Sequence, residues 1–176
     1  MNLANKITVF RITLVPVYLI LLMQQTTASG YAATAVFALA SLSDAVDGYI
    51  ARSYGLVTNF GKFFDPLADK LLVCSALIAL TYLGSFPVWG TIAIVVRELT
   101  VTGFREVAAA KGVIIAADKL GKLKAISQMV TVICLSFPAF PQVLKALMFP
   151  LIWFTVAITL ISGTAYILKN KHVLKD

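Results

Sequence analysis

Apolar residues fill six stretches of the chain, roughly 7–25, 31–52, 61–83, 87–111, 120–140 and 146–168, divided by short segments rich in Gly, Ser, Thr, Pro and Lys. Each is near the roughly 20 residues that a helix needs to cross a bilayer core about 30 Å thick. The pattern predicts an all-α integral membrane protein, a six-transmembrane-helix bundle forming a single domain over residues 1–176. The fifth stretch is the shortest span, because Lys119, Lys122 and Lys124 crowd its start. The first carries Lys6 and Arg11 ahead of its apolar run, as a signal peptide does. Pro16 interrupts that run and no small-residue cleavage site follows cleanly, so a retained first span is expected.

Composition strengthens this reading. Of the 176 residues 60% are hydrophobic and the mean hydropathy is +0.90. Charged residues make up 13%, against about 25% in a soluble domain. The net charge of +7 does not point to nucleic acid, because the basic residues gather at span ends rather than on a solvated face with interleaved aromatics. Lys6, Arg11, Arg52, Lys62, Lys111, Lys119, Lys122, Lys124, Lys169, Lys171 and Lys175 lie on one side with both termini, whereas the opposite connections hold only Lys145. The positive-inside rule then puts both termini in the cytoplasm, with anionic membrane lipids as partners. Cys74 and Cys134 stand in separate apolar stretches and read as reduced packing residues. His172 belongs to a basic interfacial tail. Trp89 and Trp153 fit interfacial or lipid-facing positions, and Gly84, Gly90 and Gly103 fit close helix contacts.

Six of the eight acidic residues, Asp44, Asp47, Asp65, Asp69, Glu98 and Glu106, fall inside or at the ends of apolar stretches. There an ionised side chain costs at least about 2.5 kcal/mol. Asp44 and Asp47 are three apart and Asp65 and Asp69 four apart, so each pair shares a helix face, and packing of helices two and three would bring four carboxylates together. Cations must then separate them, and an all-oxygen donor set favours Mg²⁺ or Mn²⁺. Two ions about 4 Å apart suit in-line displacement at phosphorus. Gly48 and Gly61 are costly in mid-helix unless a ligand or a neighbouring helix approaches the backbone, and Arg52 ends helix two where its planar fork can meet a diphosphate. A salt-bridge cluster of the aspartates with Arg52, Lys62 and Lys70 is the competing account.

Written out, the segment is Asp44-x2-Asp47-Gly48-x2-Ala51-Arg52-x8-Gly61-x3-Asp65-x3-Asp69. It resembles the defining motif of the CDP-alcohol phosphotransferase family at every fixed position. The resemblance implies attack by an acceptor hydroxyl on the β-phosphoryl of CDP-diacylglycerol or a related CDP-alcohol, with release of CMP. It implies metal ligation by Asp44, Asp47 and Asp65, and a general base in Asp69, which is also a candidate ligand. Thr58, Gly61 and Gly48 would line the cytidine pocket and Arg52 would hold the diphosphate. The opening Asn5-Lys6-Ile7-Thr8-Val9-Phe10-Arg11 is also similar to the family's, with Asn5 and Thr8 toward the nucleotide. A homodimer in a bacterial cytoplasmic (inner) membrane, with the site on the cytoplasmic side, is implied as well.

Helix four carries Arg97 and Arg105, about 12 Å apart along its axis, and Lys122 and Lys124 follow across a short connection. Glu98 and Glu106 are sequence neighbours of the arginines, and side chains about 100° apart are expected to pair poorly, leaving positive charge for a ligand. The pattern Arg97-Glu98-x2-Val101-Thr102-x2-Arg105 with Gly121-Lys122-x-Lys124 resembles family members whose acceptor is sn-glycerol 3-phosphate. That resemblance implies a phosphate clamp of Arg97, Arg105 and Lys122 and phosphatidylglycerol phosphate as product. Inositol phosphate, or phosphatidylglycerol as in cardiolipin synthesis, are the alternative acceptors. An intramembrane ion transporter is the rival class, and it explains the charges but not the motif spacing. The blander reading pairs the arginines with the glutamates and makes Lys122 and Lys124 interfacial anchors.

Overall fold

A computed structural model describes the backbone of residues 3–53, 59–113, 115, 119–138 and 142–174, and their side chains except those of 3–6, 44–53, 59–66, 69, 142–145, 172 and 174. Among the described residues there are six α-helices and no strand: α1 (Leu3–Met23), α2 (Thr27–Ser53), α3 (Asn59–Tyr82), α4 (Val88–Ala110), α5 (Lys119–Ser136) and α6 (Gln142–Lys169). A 3₁₀ turn follows at Lys171–Leu174. These helices match the six apolar stretches, with ends shifted by a few residues. Pro16 does not break α1, and the helix runs through it.

Local chemistry sets several ends. Thr26 caps α2: its Oγ1 accepts the Ser29 amide at 3.1 Å, and Ser29 Oγ accepts the Thr26 amide at 3.1 Å, a reciprocal capping box. After α3, Gly84 takes a φ of 72°, donating to Thr81 O at 3.0 Å while Ser85 N donates to Leu80 O at 2.8 Å. That is a Schellman stop, with Pro87 just beyond it. Gly112 ends α4 the same way, with a φ of 74°. Gly84 is therefore a helix stop rather than a contact point. Gly90 does make the expected close contact, since a Cβ there would lie 3.1 Å from Val156 of α6, whereas nothing lies within 4 Å of a Cβ at Gly103.

The helices pack as two halves. In one, α1 lies against α2 and α3; in the other, α6 lies against α4 and α5; α5 also touches α2 and α3, and α4 touches α3. Val15, Tyr18 and Leu22 of α1 meet Ala33, Phe37 and Ala40 of α2 and Leu72, Ala76, Leu77 and Leu80 of α3. These recur at three- and four-residue steps, and the alanines let the backbones approach. Tyr18 ties the halves together through a 2.8 Å hydrogen bond with Ser136 Oγ. Cys74 and Cys134 are free thiols.

The distribution of polarity is inverted relative to a water-soluble bundle. Thr8, Arg11, Glu98, Lys124, Gln128, Thr131, Thr155, Thr159 and Ser162 are buried, while every helix turns large apolar side chains outward, among them Ile20, Leu39, Ile78, Leu99, Ile126 and Ile161. Trp89 and Trp153 are on the outer surface as well. Polar groups inside and hydrocarbon outside is the arrangement a lipid solvent stabilises, and the protein is membrane-associated. Among the described residues one helix, Ala146–Lys169, is both long and apolar enough to cross a bilayer by itself; Ile7–Met23 and Lys70–Tyr82 are apolar but shorter. Arg11, expected among the flanking cations, is instead fully buried.

Candidate active site

Asp44, Asp47, Gly48 and Arg52 stand in the C-terminal half of α2, and Gly61, Asp65 and Asp69 in the N-terminal half of α3. The two helices contact one another and share α1 as a neighbour. Asn5 and Thr8 lie in the first two turns of α1, where Thr8 is fully buried. Thr58 and the side chains of Asn5, Asp44, Asp47, Arg52, Asp65 and Asp69 lie outside the described residues, as does the expected meeting of the four carboxylates. Among the described residues no group of His, Cys, Asp and Glu is arranged to hold a metal.

Next to this segment is a basic cluster assembled from three helices. Glu98 of α4 is buried, and its Oε1 accepts from Lys124 Nζ of α5 at 2.6 Å and from Arg97 Nη1 at 3.1 Å. The expectation that Arg97 and Glu98 would pair poorly is corrected. An arginine stem is long enough to fold back over one helical step, and removal from water makes the pairing worthwhile. Arg97 Nη2 also donates to Ser162 Oγ of α6 at 2.9 Å. Its stem rests on Gly163, where a Cβ would come within 2.7 Å of Arg97 Cγ. Arg97 Nε is buried with no hydrogen-bond partner among the described residues.

Lys124 faces inward, and Lys122 is exposed. Two residues apart on a helix is about 200°, so only one of the pair can point into the bundle. Arg105 is exposed too, two turns beyond Arg97. The structure thus brings Arg97 together with Lys124, and leaves Arg105 and Lys122 on the outer surface. Lys124 and Glu98 border a small cavity with Gln128 of α5 and Lys70, Val73 and Cys74 of α3. Lys70 directly follows Asp69 in sequence and Val73 lies one turn on, so the cluster adjoins the stretch of α3 that ends the aspartate motif. On its other side Arg97 borders an open cavity of about 320 Å³ between α4 and α6, with Val96, Val101, Leu160 and Leu168 among its walls.

A track of hydrogen bonds supports the cluster. Gln128 Nε2 donates to Thr159 Oγ1 at 3.1 Å, the Thr131 and Thr155 hydroxyls meet at 2.8 Å, and Ser162 Oγ donates to Thr159 O at 3.0 Å. The sequence spacing did not single out Lys124, Ser162 and Gly163 as members of this cluster. The available signal was weak: small residues at 162 and 163 within an otherwise apolar helix.

Comparison with known proteins shows the family. The family model of CDP-alcohol phosphatidyltransferases matches residues 1–161. A CDP-diacylglycerol–glycerol-3-phosphate 3-phosphatidyltransferase of Bacillus subtilis (strain 168) is 42% identical, over 99% of this chain and 97% of the relative. Proteins of the same name from Rickettsia bellii (strain RML369-C) and Rickettsia typhi (strain ATCC VR-144 / Wilmington) are 34% and 41% identical, over 94% and 73% of this chain and 93% and 72% of their own. The family's chemistry uses divalent metal ions. With its aspartate motif on the touching helices α2 and α3, and with family similarity over nearly its whole length, the chain belongs to the CDP-alcohol phosphatidyltransferases.

Proposed function

We propose that this enzyme transfers the phosphatidyl group of CDP-diacylglycerol to sn-glycerol 3-phosphate, giving phosphatidylglycerol phosphate and CMP. The observation that carries the choice of acceptor is the buried cluster beside α3, in which, among the described residues, two cations share one carboxylate. A phosphorylated acceptor brings a phosphate for these cations, and serine or choline does not.

Asp44, Asp47, Asp65 and Asp69 would hold the divalent metal, Mg²⁺ or Mn²⁺ and two ions by their number, which supplies charge neutralisation at the diphosphate when bound. Arg52 holds the diphosphate, and Asn5, Thr8, Gly48, Thr58 and Gly61 enclose the cytidine. Asp69 takes the proton from the acceptor hydroxyl. That oxygen bonds to the β-phosphorus, and the bond from the β-phosphorus to the oxygen bridging to the α-phosphate breaks, so that CMP departs with the electron pair. Arg97, with Lys124 beside it, orients the acceptor's phosphate from within the bundle; Arg105 and Lys122 gather it at the cytoplasmic rim. In this reading all six helices cross a bacterial inner membrane, both termini face the cytoplasm, and two copies form a homodimer.

The test is an acceptor panel on purified protein with CDP-diacylglycerol and Mg²⁺ or Mn²⁺, following CMP release. Glycerol 3-phosphate is expected to support turnover well above inositol phosphate, inositol, serine or phosphatidylglycerol. Preference for any other acceptor sinks the assignment, and ion flux in liposomes without CMP release would favour a transporter. Arg105→Ala is expected to raise KM for glycerol 3-phosphate about tenfold and KM for the CDP-lipid far less.

A further inference from the structure

Glu98 is placed where simple neutralisation does not explain it. A buried carboxylate needs one cation, yet a single oxygen of Glu98 takes two, at 2.6 and 3.1 Å, with all three side chains at most 10% exposed. We propose that Glu98 is a positioning residue for the acceptor's phosphate: it draws Arg97 and Lys124 from different helices onto one oxygen and holds their remaining donors ready for an anion. This rests on the phosphorylated-acceptor reading above, and it assigns Glu98 no contact with the reacting atoms.

The inventory of donors supports the assignment. Lys124 has three N–H donors, one of which points at Glu98, and Arg97 has five, of which one is directed to Glu98 and one to Ser162. Arg97 Nε is buried without a partner among the described residues, an expense that an incoming phosphate oxygen would relieve. Neither cation is free to drift. Gly163 and Ser162 seat Arg97 from α6, and Lys124 is buried beside a small cavity that Gln128, Val73 and Cys74 also line. Two cations gathered this closely repel each other unless an anion lies between them, so before the acceptor arrives Glu98 is what keeps them together. The cluster adjoins the turn after Asp69, where a bound phosphate would hold the attacking hydroxyl of the same small molecule near the proposed base.

Glu98→Gln keeps the volume and an acceptor oxygen but removes the charge, and Glu98→Asp keeps the charge on a stem one methylene shorter. For Glu98→Gln we expect KM for glycerol 3-phosphate to rise at least about tenfold, with KM for CDP-diacylglycerol changed less than about twofold and kcat at saturating acceptor within about threefold. Glu98→Asp should recover most of the acceptor KM. Metal-dependent CMP binding by Glu98→Gln, measured directly, should match the parent and so report an intact nucleotide site. An unchanged acceptor KM, an equal rise in both KM values, or loss of CMP binding together with thermal stability would overturn the proposal. The parent enzyme separates the two readings. If it prefers inositol phosphate the acceptor assignment fails, and the KM split is then read with that acceptor; if it uses no phosphorylated acceptor, both fall.

Discussion

The aspartate segment of α2 and α3 and the basic cluster of α4, α5 and α6 are both charged sites in an apolar bundle, but they are put together differently. The aspartates come as two local pairs, three and four residues apart on single helices. The basic cluster joins Glu98 to Lys124 across 26 residues and Arg97 to Ser162 across 65. Local spacing is readable from the covalent chain because helix geometry alone sets it. A cluster drawn from three helices depends on rotation and register, which packing sets.

Experiments that break one region and spare the other sharpen the contrast. The largest effect is expected at the aspartates: Asp69→Asn should lower the rate of CMP release by about 10²–10⁴-fold, the range for a general base, while metal binding persists. Normal turnover in that variant would remove Asp69 as the base. Chelation should abolish activity in the same assay, and Mg²⁺ or Mn²⁺ should restore it.

In the basic cluster the next largest change is structural. Lys124→Met leaves Glu98 with the Arg97 partner alone, so what is lost is one buried hydrogen bond between charged groups, about 1.5–3 kcal/mol. Thermal unfolding in detergent should register it, whereas Lys122→Ala, at an exposed position, should stay within about 0.5 kcal/mol. Equal destabilisation by the two would contradict the inward placement of Lys124.

A smaller effect separates two glycines. Gly163→Ala drives a methyl to within 2.7 Å of Arg97 Cγ, and Arg97 is anchored by Glu98 and Ser162, so overpacking of about 1–3 kcal/mol is expected along with a higher acceptor KM. Gly103→Ala meets nothing within 4 Å and should stabilise α4 by about 0.5–1 kcal/mol through helix propensity. Unfolding midpoints of the two variants moving in the same direction would refute this reading of the α4–α6 contact.

Much of the architecture was legible beforehand for the same local reason. The six helices coincide with apolar stretches whose length and period are local properties of the chain, whereas the Thr26 cap was not read from it and Gly84, read as a helix contact, ends α3 instead. Other features were not. Arg11 read as a flanking cation and is buried, because a charge near the start of a helix is equally compatible with the rim and with a polar interior. Lys122 rather than Lys124 read as the member of the phosphate clamp, yet the rotation of α5 exposes Lys122 and buries Lys124.

By itself the amino-acid sequence determined the lipid-compatible composition, the helices, and the motif that assigns the chain to its family, since each depends on residue type and short spacing. Only the tertiary structure decided which cations meet Glu98, that Gly163 seats Arg97, and that the cluster adjoins the end of the aspartate motif on α3. Those outcomes depend on how helices distant in sequence rotate against one another, and that is settled by the packing of the whole bundle rather than by any one segment.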